Sequence, residues 1–152
     1  MDLDKLQKEL AEDEGCKYEI YNDHLGYATF GIGHLVTDSD LEYGQEIGTE
    51  VSKERVDECF KADIEITIED CNILYSNFND IPEEAQLIIA NMMFNLGRPR
   101  LSKFLKLKAA VDDEDWMEAS VQMMDSKWAK QVPNRAKRLC ERMEKLSWLF
   151  KQ

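Results

Sequence analysis

Long apolar runs are missing from this sequence, although 43% of its 152 residues are hydrophobic. No stretch approaches the roughly 18 consecutive apolar residues of a membrane-spanning helix, so we expect no transmembrane segment. The opening residues, MDLDKLQKELAEDEG, are highly charged and lack the apolar core of a secretory signal peptide. We therefore expect the protein to be made in a cytosol. If it acts outside that compartment, something else must release it.

Cysteine pairs with the spacing of metal ligands are also missing. The four cysteines are Cys16, Cys59, Cys71 and Cys140. No two of them form a CxxC motif, which argues against a zinc site. Cys59 and Cys71 fall on one predicted helix, where a rise of ~1.5 Å per residue places them about 18 Å apart, too far for a disulfide. We expect reduced cysteines, most of them buried as small hydrophobic side chains.

Glycine is scarce, and the run Gly31-Ile32-Gly33 lacks the third glycine of a dinucleotide-binding fingerprint, because Val36 occupies that position. These glycines instead favour close backbone packing or the close approach of a ligand. Internal repeats and low-complexity linkers are absent as well. The length suits one domain with a sizeable core, or two small lobes that share a helix.

Basic residues are few in the first half of the chain, and the net charge is −12. Residues 1–75 contain 20 acids and 6 bases, a balance of −14, whereas residues 76–152 contain 11 acids and 13 bases, a balance of +2. The segment 126–152 alone has eight bases and two acids. The simpler interpretation is a solvated acidic surface with a basic terminal helix. The alternative is a basic face that meets an anionic polymer, with the acidic half turned away.

The hydrophobic periodicity predicts a mainly helical chain with one small sheet. A helix over 2–14 ends at Gly15, and residues 17–34 alternate as an antiparallel sheet with a polar hairpin loop over 22–26. Ser52 caps a long helix that runs to about Tyr75, and the segment 38–48 before it is polar, with room for one or two helical turns. Further helices are predicted over 82–97, 101–111 and 115–124, and from Pro133 onward.

Two carboxyl groups and a hydroxyl group fall within the stretch 14–35. Glu14 is in the last turn of the first helix, Asp23 is in the hairpin loop and Thr29 follows it. Two carboxyl groups held around a cleft are the minimum equipment for cutting a glycosidic bond. The negative end of the helix dipole disfavours a carboxylate at Glu14, as suits a proton donor. The simpler alternatives are a surface acid at a frayed helix end, favoured on position alone, and a turn-forming Asp.

Several separated motifs follow one another in a recognisable order. They are Asp13-Glu14-Gly15, residues 20–35 with Asp23 and Thr29 in register, Asn91-Met92 with Phe94 and Gly97, the pair Trp116 and Trp128, and Pro133-Asn134-Arg135-Ala136-Lys137-Arg138. In this order the chain resembles, over nearly its whole length, the phage-type lysozymes, the glycoside hydrolase family of the T-even bacteriophage lysozymes. The main difference is a shorter region between Leu35 and Ser52.

The resemblance implies an α+β, mainly helical, lysozyme-like fold of two lobes within a single domain over 1–152. The small lobe, at about 15–60, would hold a three-stranded antiparallel sheet. The helical lobe would comprise about 76–152 together with the N-terminal helix 2–14, and a helix over about 52–75 would join the two.

The resemblance also assigns roles to residues. Glu14 looks like the general acid, Asp23 like the second carboxylate, and Thr29 like its partner in holding the attacking water. Leu35 and Phe94 match sugar-contact positions in the cleft.

Three further positions match substrate-binding or neighbouring sites, and two of them depart from the family pattern. Arg135 matches the Arg that approaches the acid from the last helix. Leu107 stands where relatives place a Ser contact and Gln122 where they place an Asn contact, so saccharide subsites in the helical lobe are expected to differ. His34 and Asp63 match an ion pair that supports the fold rather than the chemistry.

The implied reaction is inverting hydrolysis of the β-1,4 bond between N-acetylmuramic acid and N-acetylglucosamine in peptidoglycan, without a metal or organic cofactor, for bacterial cell-wall lysis. The implied protein is a monomer with no nucleic-acid partner and no stable membrane insertion. It would stay in the host cytoplasm before lysis and reach the periplasm and cell wall through a holin-type membrane hole. One alternative is a catalytically inactive wall-binding or virion structural module with a lysozyme fold; a weaker one is an acidic mimic of nucleic acid.

Overall fold

The computed structural model describes residues 1–150, so the last two residues of the basic segment 126–152 lie outside the described part of the chain. The helices are α1 (Leu3–Glu14), α2 (Lys53–Leu74), α3 (Glu83–Leu96), α4 (Arg98–Leu101), α5 (Leu105–Asp112), α6 (Trp116–Met124), α7 (Lys127–Gln131) and α8 (Pro133–Leu149), with a 3₁₀ turn at Phe78–Asp80. The strands are β1 (Lys17–Asn22), β2 (Ala28–Gly31) and β3 (His34–Leu35). The predicted mainly helical α+β fold with a three-stranded antiparallel sheet is confirmed.

The chain divides into two compact units. The sheet unit is Asp4–Ile66, and the helical unit comprises residues 1–3 and the chain from Thr67 onward. The helix α2 contributes residues to both, since the division falls within it. The lobe boundaries expected from the resemblance stay a prediction.

The sheet of the sheet unit has the order β1-β2-β3, with both pairs antiparallel. One face forms the core, where Ile20 and Phe30 pack with Val51, Val56 and Cys59. A Cβ atom at Gly31, which has a φ of +64°, would lie only 2.9 Å from Val56 Cγ1. The predicted close backbone packing is therefore present at Gly31, where glycine lets the strand approach the helix α2.

The segment between β3 and α2 is held by hydrogen bonds to β1 and by ion pairs with Arg55 of α2. Gly48 donates a hydrogen bond to the Ile20 carbonyl at 2.7 Å, and Ile20 donates to Thr49 at 2.9 Å, so this segment covers the free edge of β1. The guanidinium of Arg55 contacts Glu42 at 3.0 Å and Asp40 at 3.2 Å. Residues 38–48 form turns and not the helical turns that the sequence left open. Their backbone makes isolated turn bonds, from Tyr43 N–H to the Asp40 carbonyl and from Gln45 N–H to the Glu42 carbonyl, both at 3.1 Å.

The core of the helical unit is built on α3, α6 and α8. The helix α6 packs against α5 and α8, and α3 packs against α8. The Trp116 and Trp128 side chains are both 2% exposed, and Trp128 Nε1 donates to Asn95 Oδ1 at 2.7 Å. A buried indole that finds an acceptor in this way adds apolar contact without an unpaired polar group.

The prediction of one helix over 101–111 is wrong, because the helical conformation is interrupted between α4 and α5. Ser102 Oγ donates to the Pro99 carbonyl at 2.9 Å, a local side-chain bond that competes with helical pairing. Phe104 then has a ψ of 70°, and α5 starts after it. The other predicted helices are present, and Ser52 Oγ accepts the cap hydrogen bond from Arg55 N at 3.1 Å, as expected.

The cysteines of the described residues are free, with Cys16 exposed and the other three buried. None of the described helices combines the length and apolarity needed to cross a bilayer.

Candidate active site

Glu14 is the last residue of α1, and the fold brings the chain round directly after it. Leu6 and Leu10 anchor the helix with fully buried side chains. Gly15 has a φ of +71° and donates from its N–H to the Ala11 carbonyl at 2.9 Å, which ends the helix in a left-handed residue. The half-buried Glu14 side chain is thereby set at the junction between α1 and β1.

The Glu14 carboxyl group rests against the backbone of Gly33, in the turn between β2 and β3. A Cβ atom at Gly33 would lie 2.9 Å from Glu14 Cδ and closer still to Oε2. Gly33 also has a φ of +65°, which L side chains rarely adopt. Glycine is therefore needed at this position for both reasons, and the close approach that the sequence indicated is to an acidic side chain.

Asp23 is held by the hairpin loop that it organises. Its Oδ1 accepts hydrogen bonds from the N–H groups of Leu25 at 2.9 Å and Tyr27 at 2.8 Å. Its backbone pairs with Tyr27 as well, through Asp23 N–H and the Tyr27 carbonyl at 2.9 Å. An Asp side chain bonded to backbone groups further along is a common turn device. Because Oδ1 is used in this way, Oδ2 is the oxygen left for a water or a substrate.

Thr29 is joined to Asp23 through a single residue. Thr29 Oγ1 donates to the Tyr27 carbonyl at 2.9 Å, while the Tyr27 N–H donates to Asp23. The Thr29 side chain is only 4% exposed. Since its proton is committed to Tyr27, the hydroxyl oxygen keeps its lone pairs to accept from a water. Asp23 and Thr29 thus present two acceptors from one hairpin.

Leu35 is the neighbour of Thr29 on the next strand of the sheet. The register places Tyr21 opposite Thr29 and Thr29 opposite Leu35. The Leu35 side chain is 50% exposed, so it offers an apolar surface beside the Thr29 hydroxyl. Glu14, Asp23, Thr29 and Leu35 all belong to the sheet unit.

The remaining predicted site residues, Phe94, Leu107, Gln122 and Arg135, belong to the helical unit. Phe94 is half-buried in the last turn of α3. Arg135 lies in the first turn of α8 and is 8% exposed, and its Nε donates to Asn91 Oδ1 at 2.8 Å. A buried guanidinium needs such acceptors because an unpaired buried charge is strongly destabilising.

Leu107 and Gln122 line one cavity of about 350 Å³ in the helical unit. Leu107 is 1% exposed and packs into the core from the cavity wall. Gln122 Nε2 donates to Glu118 Oε1 at 2.6 Å, which leaves the Gln122 carbonyl oxygen for a ligand. Lys103, Lys106 and Lys127 also line the cavity, against one acid, Asp125, so its lining is basic on balance.

Tyr21, which the sequence did not single out, lies opposite Thr29 in the β1–β2 register. Burial raises the pKa of the Tyr21 phenol, and the negative charges of Glu14 and Asp23 raise it further. The strand alternation that places Ile20 in the core could have indicated it, because Tyr21 must then share the face of Thr29. Among the described residues, no group of three or more His, Cys, Asp or Glu side chains could hold a metal ion.

The chain matches known proteins over most of its length. A family model described as phage lysozyme matches residues 11–145. The chain is 29% identical to "Probable T4-type lysozyme 2" of Dictyostelium discoideum, over 90% of this chain and 92% of that protein.

Two phage proteins are similar to it over only part of their own length. The chain is 27% identical to "Pre-baseplate central spike protein Gp5" of Enterobacteria phage T4, over 86% of this chain and 26% of that protein. It is 28% identical to "Peptidoglycan hydrolase gp36" of Pseudomonas phage phiKMV, over 93% of this chain and 15% of that protein. Because the family model matches well over half of the sequence, the chain belongs to the phage lysozyme family and is an enzyme of the lysozyme type.

Proposed function

We propose that this protein hydrolyses the β-1,4 bond between N-acetylmuramic acid and N-acetylglucosamine in peptidoglycan, with inversion at the anomeric carbon. The observation that carries the proposal is the arrangement within the sheet unit. Glu14 is seated on Gly33 at the end of α1, and Asp23 and Thr29 are tied to each other through Tyr27. The family membership and the similarity to a phage peptidoglycan hydrolase support the substrate class.

Glu14 is the general acid of the proposed reaction. Its proton passes to the glycosidic oxygen while the bond from that oxygen to the anomeric carbon breaks, so the leaving sugar departs as an alcohol. The seat on Gly33 restricts the directions that the carboxyl group can take. Fixing a proton donor in this way lowers the entropic part of the barrier.

Asp23 and Thr29 prepare the nucleophile. A water that donates one hydrogen to Asp23 Oδ2 and the other to Thr29 Oγ1 has a lone pair left for the anomeric carbon. The negative charge of Asp23 also stabilises the positive charge that develops there. Direct attack by water on the opposite face inverts the configuration while Asp23 Oδ2 takes the proton that the water loses. In enzymes of this kind the two carboxyl groups stand roughly 6.5–9.5 Å apart.

Subsites and cellular context complete the proposal. Leu35 and Phe94 would contact sugar rings, Leu107 and Gln122 would shape the subsites of the helical unit, and Arg135 would support substrate binding. The protein would act as a monomer on the cell wall, after leaving the host cytoplasm through a holin-type membrane hole. No metal or organic cofactor enters the reaction.

A second candidate is a catalytically inactive module with a lysozyme fold in a virion. The similarity to the central spike protein Gp5, of which the chain covers 26%, is the observation that favours it. The link of Asp23 to Thr29 through Tyr27, and the contact of Glu14 with Gly33 in the same unit, argue against it, because a binding module has no need for either.

One experiment tests the enzyme against this alternative. Chloroform-treated Gram-negative cells are incubated with the wild-type protein and with Glu14→Gln, and turbidity is followed over time. We expect lysis by the wild type and a rate lower by a factor of about 100 or more for the variant, at an unchanged thermal midpoint. Near-normal lysis by folded Glu14→Gln would refute the role of Glu14, and an inactive wild type would favour the virion module.

The stereochemistry has its own test. NMR of the sugar anomer that forms first from a defined β-linked oligosaccharide distinguishes the two mechanisms. An α product is expected for direct attack by water, whereas a β product would indicate a covalent intermediate and contradict inversion.

A further inference from the structure

Tyr27 is the residue that joins Asp23 to Thr29, and it does so entirely with backbone groups. Its N–H donates to Asp23 Oδ1 at 2.8 Å, and its carbonyl accepts from Asp23 N–H and from Thr29 Oγ1, both at 2.9 Å. Gly26 N–H closes the turn before it by donating to the Asp23 carbonyl at 3.0 Å. The side chain takes no part in these bonds, so the fold fixes where the ring starts without using the ring.

Strand alternation places the Tyr27 side chain on the same face of the sheet as Thr29. The pairing of β1 and β2 continues into the hairpin loop through the bond from Asp23 N–H to the Tyr27 carbonyl. Ala28 and Phe30, the alternating residues, pack with the core on the other face. Residues two apart along a strand share a face and lie about 6.5 Å from each other. The Tyr27 ring therefore stands next to the Thr29 hydroxyl group along the strand.

Two half-exposed side chains border Thr29 on this face. Tyr27 directly precedes β2 and is 51% exposed, and Leu35 lies opposite Thr29 on β3 and is 50% exposed. The water that Asp23 and Thr29 are proposed to hold thus has an aromatic ring on one side and an aliphatic side chain on another. A sugar whose anomeric carbon reaches that water must come next to the Tyr27 ring.

The chemistry of the substrate suits an aromatic ring at this position. In a β-1,4-linked sugar of the glucosamine type the ring substituents are equatorial, so the axial C–H bonds form an apolar patch on each face. Tyrosine covers such a patch with a flat apolar surface and keeps its hydroxyl group toward water. Because its side chain has only two torsions to fix, the contact costs little conformational entropy on binding.

We propose that Tyr27 is a specificity-determining residue, whose ring packs on the C–H face of the sugar that offers its anomeric carbon to the water held by Asp23 and Thr29. This proposal rests on the muramidase function proposed above. The backbone of one residue thus fixes the groups that hold the water, and its ring selects the sugar placed against them. The contact is present in the substrate complex and in the transition state alike, so its loss raises KM more than it lowers kcat.

Three substitutions at position 27 test the proposal, because each of them leaves the backbone hydrogen bonds of Tyr27 in place. Tyr27→Phe keeps the ring, Tyr27→Leu keeps apolar bulk without a ring, and Tyr27→Ala keeps neither. Tyr43→Ala is the matched control. Tyr43 is a 63% exposed tyrosine of the sheet unit, and its N–H is likewise held in a turn, by the Asp40 carbonyl at 3.1 Å.

Kinetics are measured on a soluble glycan strand of alternating N-acetylglucosamine and N-acetylmuramic acid, together with thermal unfolding. Binding of the same strand is followed in the Glu14→Gln background by NMR of the sugar C–H protons. We expect Tyr27→Ala to raise KM and Kd by about tenfold with kcat changed less than about threefold, and Tyr27→Phe to stay within about twofold of the parent. Tyr43→Ala should match the parent in all three constants.

The NMR signals report the ring contact itself. An aromatic ring shields protons stacked on its face, so the sugar C–H signals should shift upfield on binding to the parent and to Tyr27→Phe. The upfield shift should be absent in Tyr27→Leu, whose side chain has no ring.

Three outcomes would count against the proposal. Unchanged KM and Kd in Tyr27→Ala, with the strand still bound and cleaved, would remove the role of Tyr27 and leave the muramidase function intact. Equal losses in all three variants that follow a lower thermal midpoint would show that Tyr27 serves the hairpin alone. A wild type that neither binds nor cleaves the strand would refute both proposals, whereas binding with the upfield shift but without cleavage would refute the muramidase function and support the ring contact.

Discussion

The carboxyl group of Glu14 lies directly on the Cα of Gly33, so close that a methyl group at position 33 would overlap it. The two residues come from different elements, the end of α1 and the turn between β2 and β3. This contact couples the position of the proposed acid to the sheet that carries Thr29. A substitution at Gly33 therefore affects both the backbone and the acid.

Gly33→Ala is expected to remove most lytic activity while the protein still folds. The left-handed φ costs about 1–2 kcal/mol for an L-residue, and the added Cβ displaces the Glu14 carboxyl group. Gly44→Ala is the matched control, because Gly44 has a φ of +81° but nothing within 4 Å of a built Cβ. Both variants should show similar losses in thermal midpoint, and lysis should fall only for Gly33→Ala. Equal activity in the two variants would mean that the Glu14 seat does not matter.

Asp23→Asn and Asp23→Ala separate the chemical role of Asp23 from its role in the loop. The Asn side chain still accepts from Leu25 and Tyr27, so Asp23→Asn should keep the wild-type midpoint and lose most turnover for want of the negative charge. Asp23→Ala should lose turnover and also about 1 kcal/mol of stability for the missing hydrogen bonds. Denaturant unfolding and turbidity assays measure the two effects, and substantial lysis by Asp23→Asn would contradict the assignment.

His34 should make stability depend on pH. Its Nδ1 lies 2.7 Å from Asp63 Oδ2 and its Nε2 lies 2.9 Å from Asp40 Oδ2, and Asp40 is in turn paired with Arg55. Burial by itself lowers the pKa of His34, but the hydrogen bonds and charges of Asp63 and Asp40 outweigh it and raise the pKa above its ordinary value. Stabilisation by this group is thus complete below the unfolded pKa of about 6.5 and is lost as pH rises through the folded pKa.

The measurement is the thermal midpoint of wild type and His34→Asn from mildly acidic to alkaline pH. The wild type should lose stability as pH rises above about 6.5, and His34→Asn should be less stable at the acidic end and lose this part of the pH dependence. The other histidine, His24, is exposed, so His24→Asn should behave like the wild type. A wild-type curve that is flat over this range would contradict the prediction.

Salt should accelerate lysis between low and physiological ionic strength. The net charge of −12 repels an anionic wall, and at about 0.01 M salt the screening length of roughly 30 Å lets the wall act on the whole protein. At about 0.15 M the length falls to roughly 8 Å, so only charges near the contact count and the basic segment 126–152 can dominate.

Neutralising Lys137 and Lys145, both exposed on α8, should lower lysis most near physiological salt. Arg142 is left intact in this variant because it pairs with Glu84 at 2.5 Å and supports the packing of α8 on α3. A wild-type rate that falls steadily from the lowest salt upward would refute the charge model.

Much of the fold followed from local chemistry. Ser52, Pro82 and Pro133 mark helix starts and Gly97 marks a helix end, because caps and backbone restrictions act within a few residues of themselves. The alternation over 17–34 predicted the small sheet for the same reason. The break between α4 and α5 escaped prediction because the hydrogen bond from Ser102 to Pro99 competes with a helix that the periodicity favours.

In the candidate site, too, the sequence determined some features and the tertiary structure determined the others. The sequence by itself determined which residues were candidates, since Glu14, Asp23 and Thr29 stand in a motif that a resemblance could identify. Only the tertiary structure decided that Glu14 rests on Gly33, that His34 is shared between Asp40 and Asp63, that Leu107 is buried, and that Tyr21 stands beside Thr29. These contacts join residues from different elements, and hydrophobic periodicity within one element does not predict them. They depend on strand register and on how the elements pack.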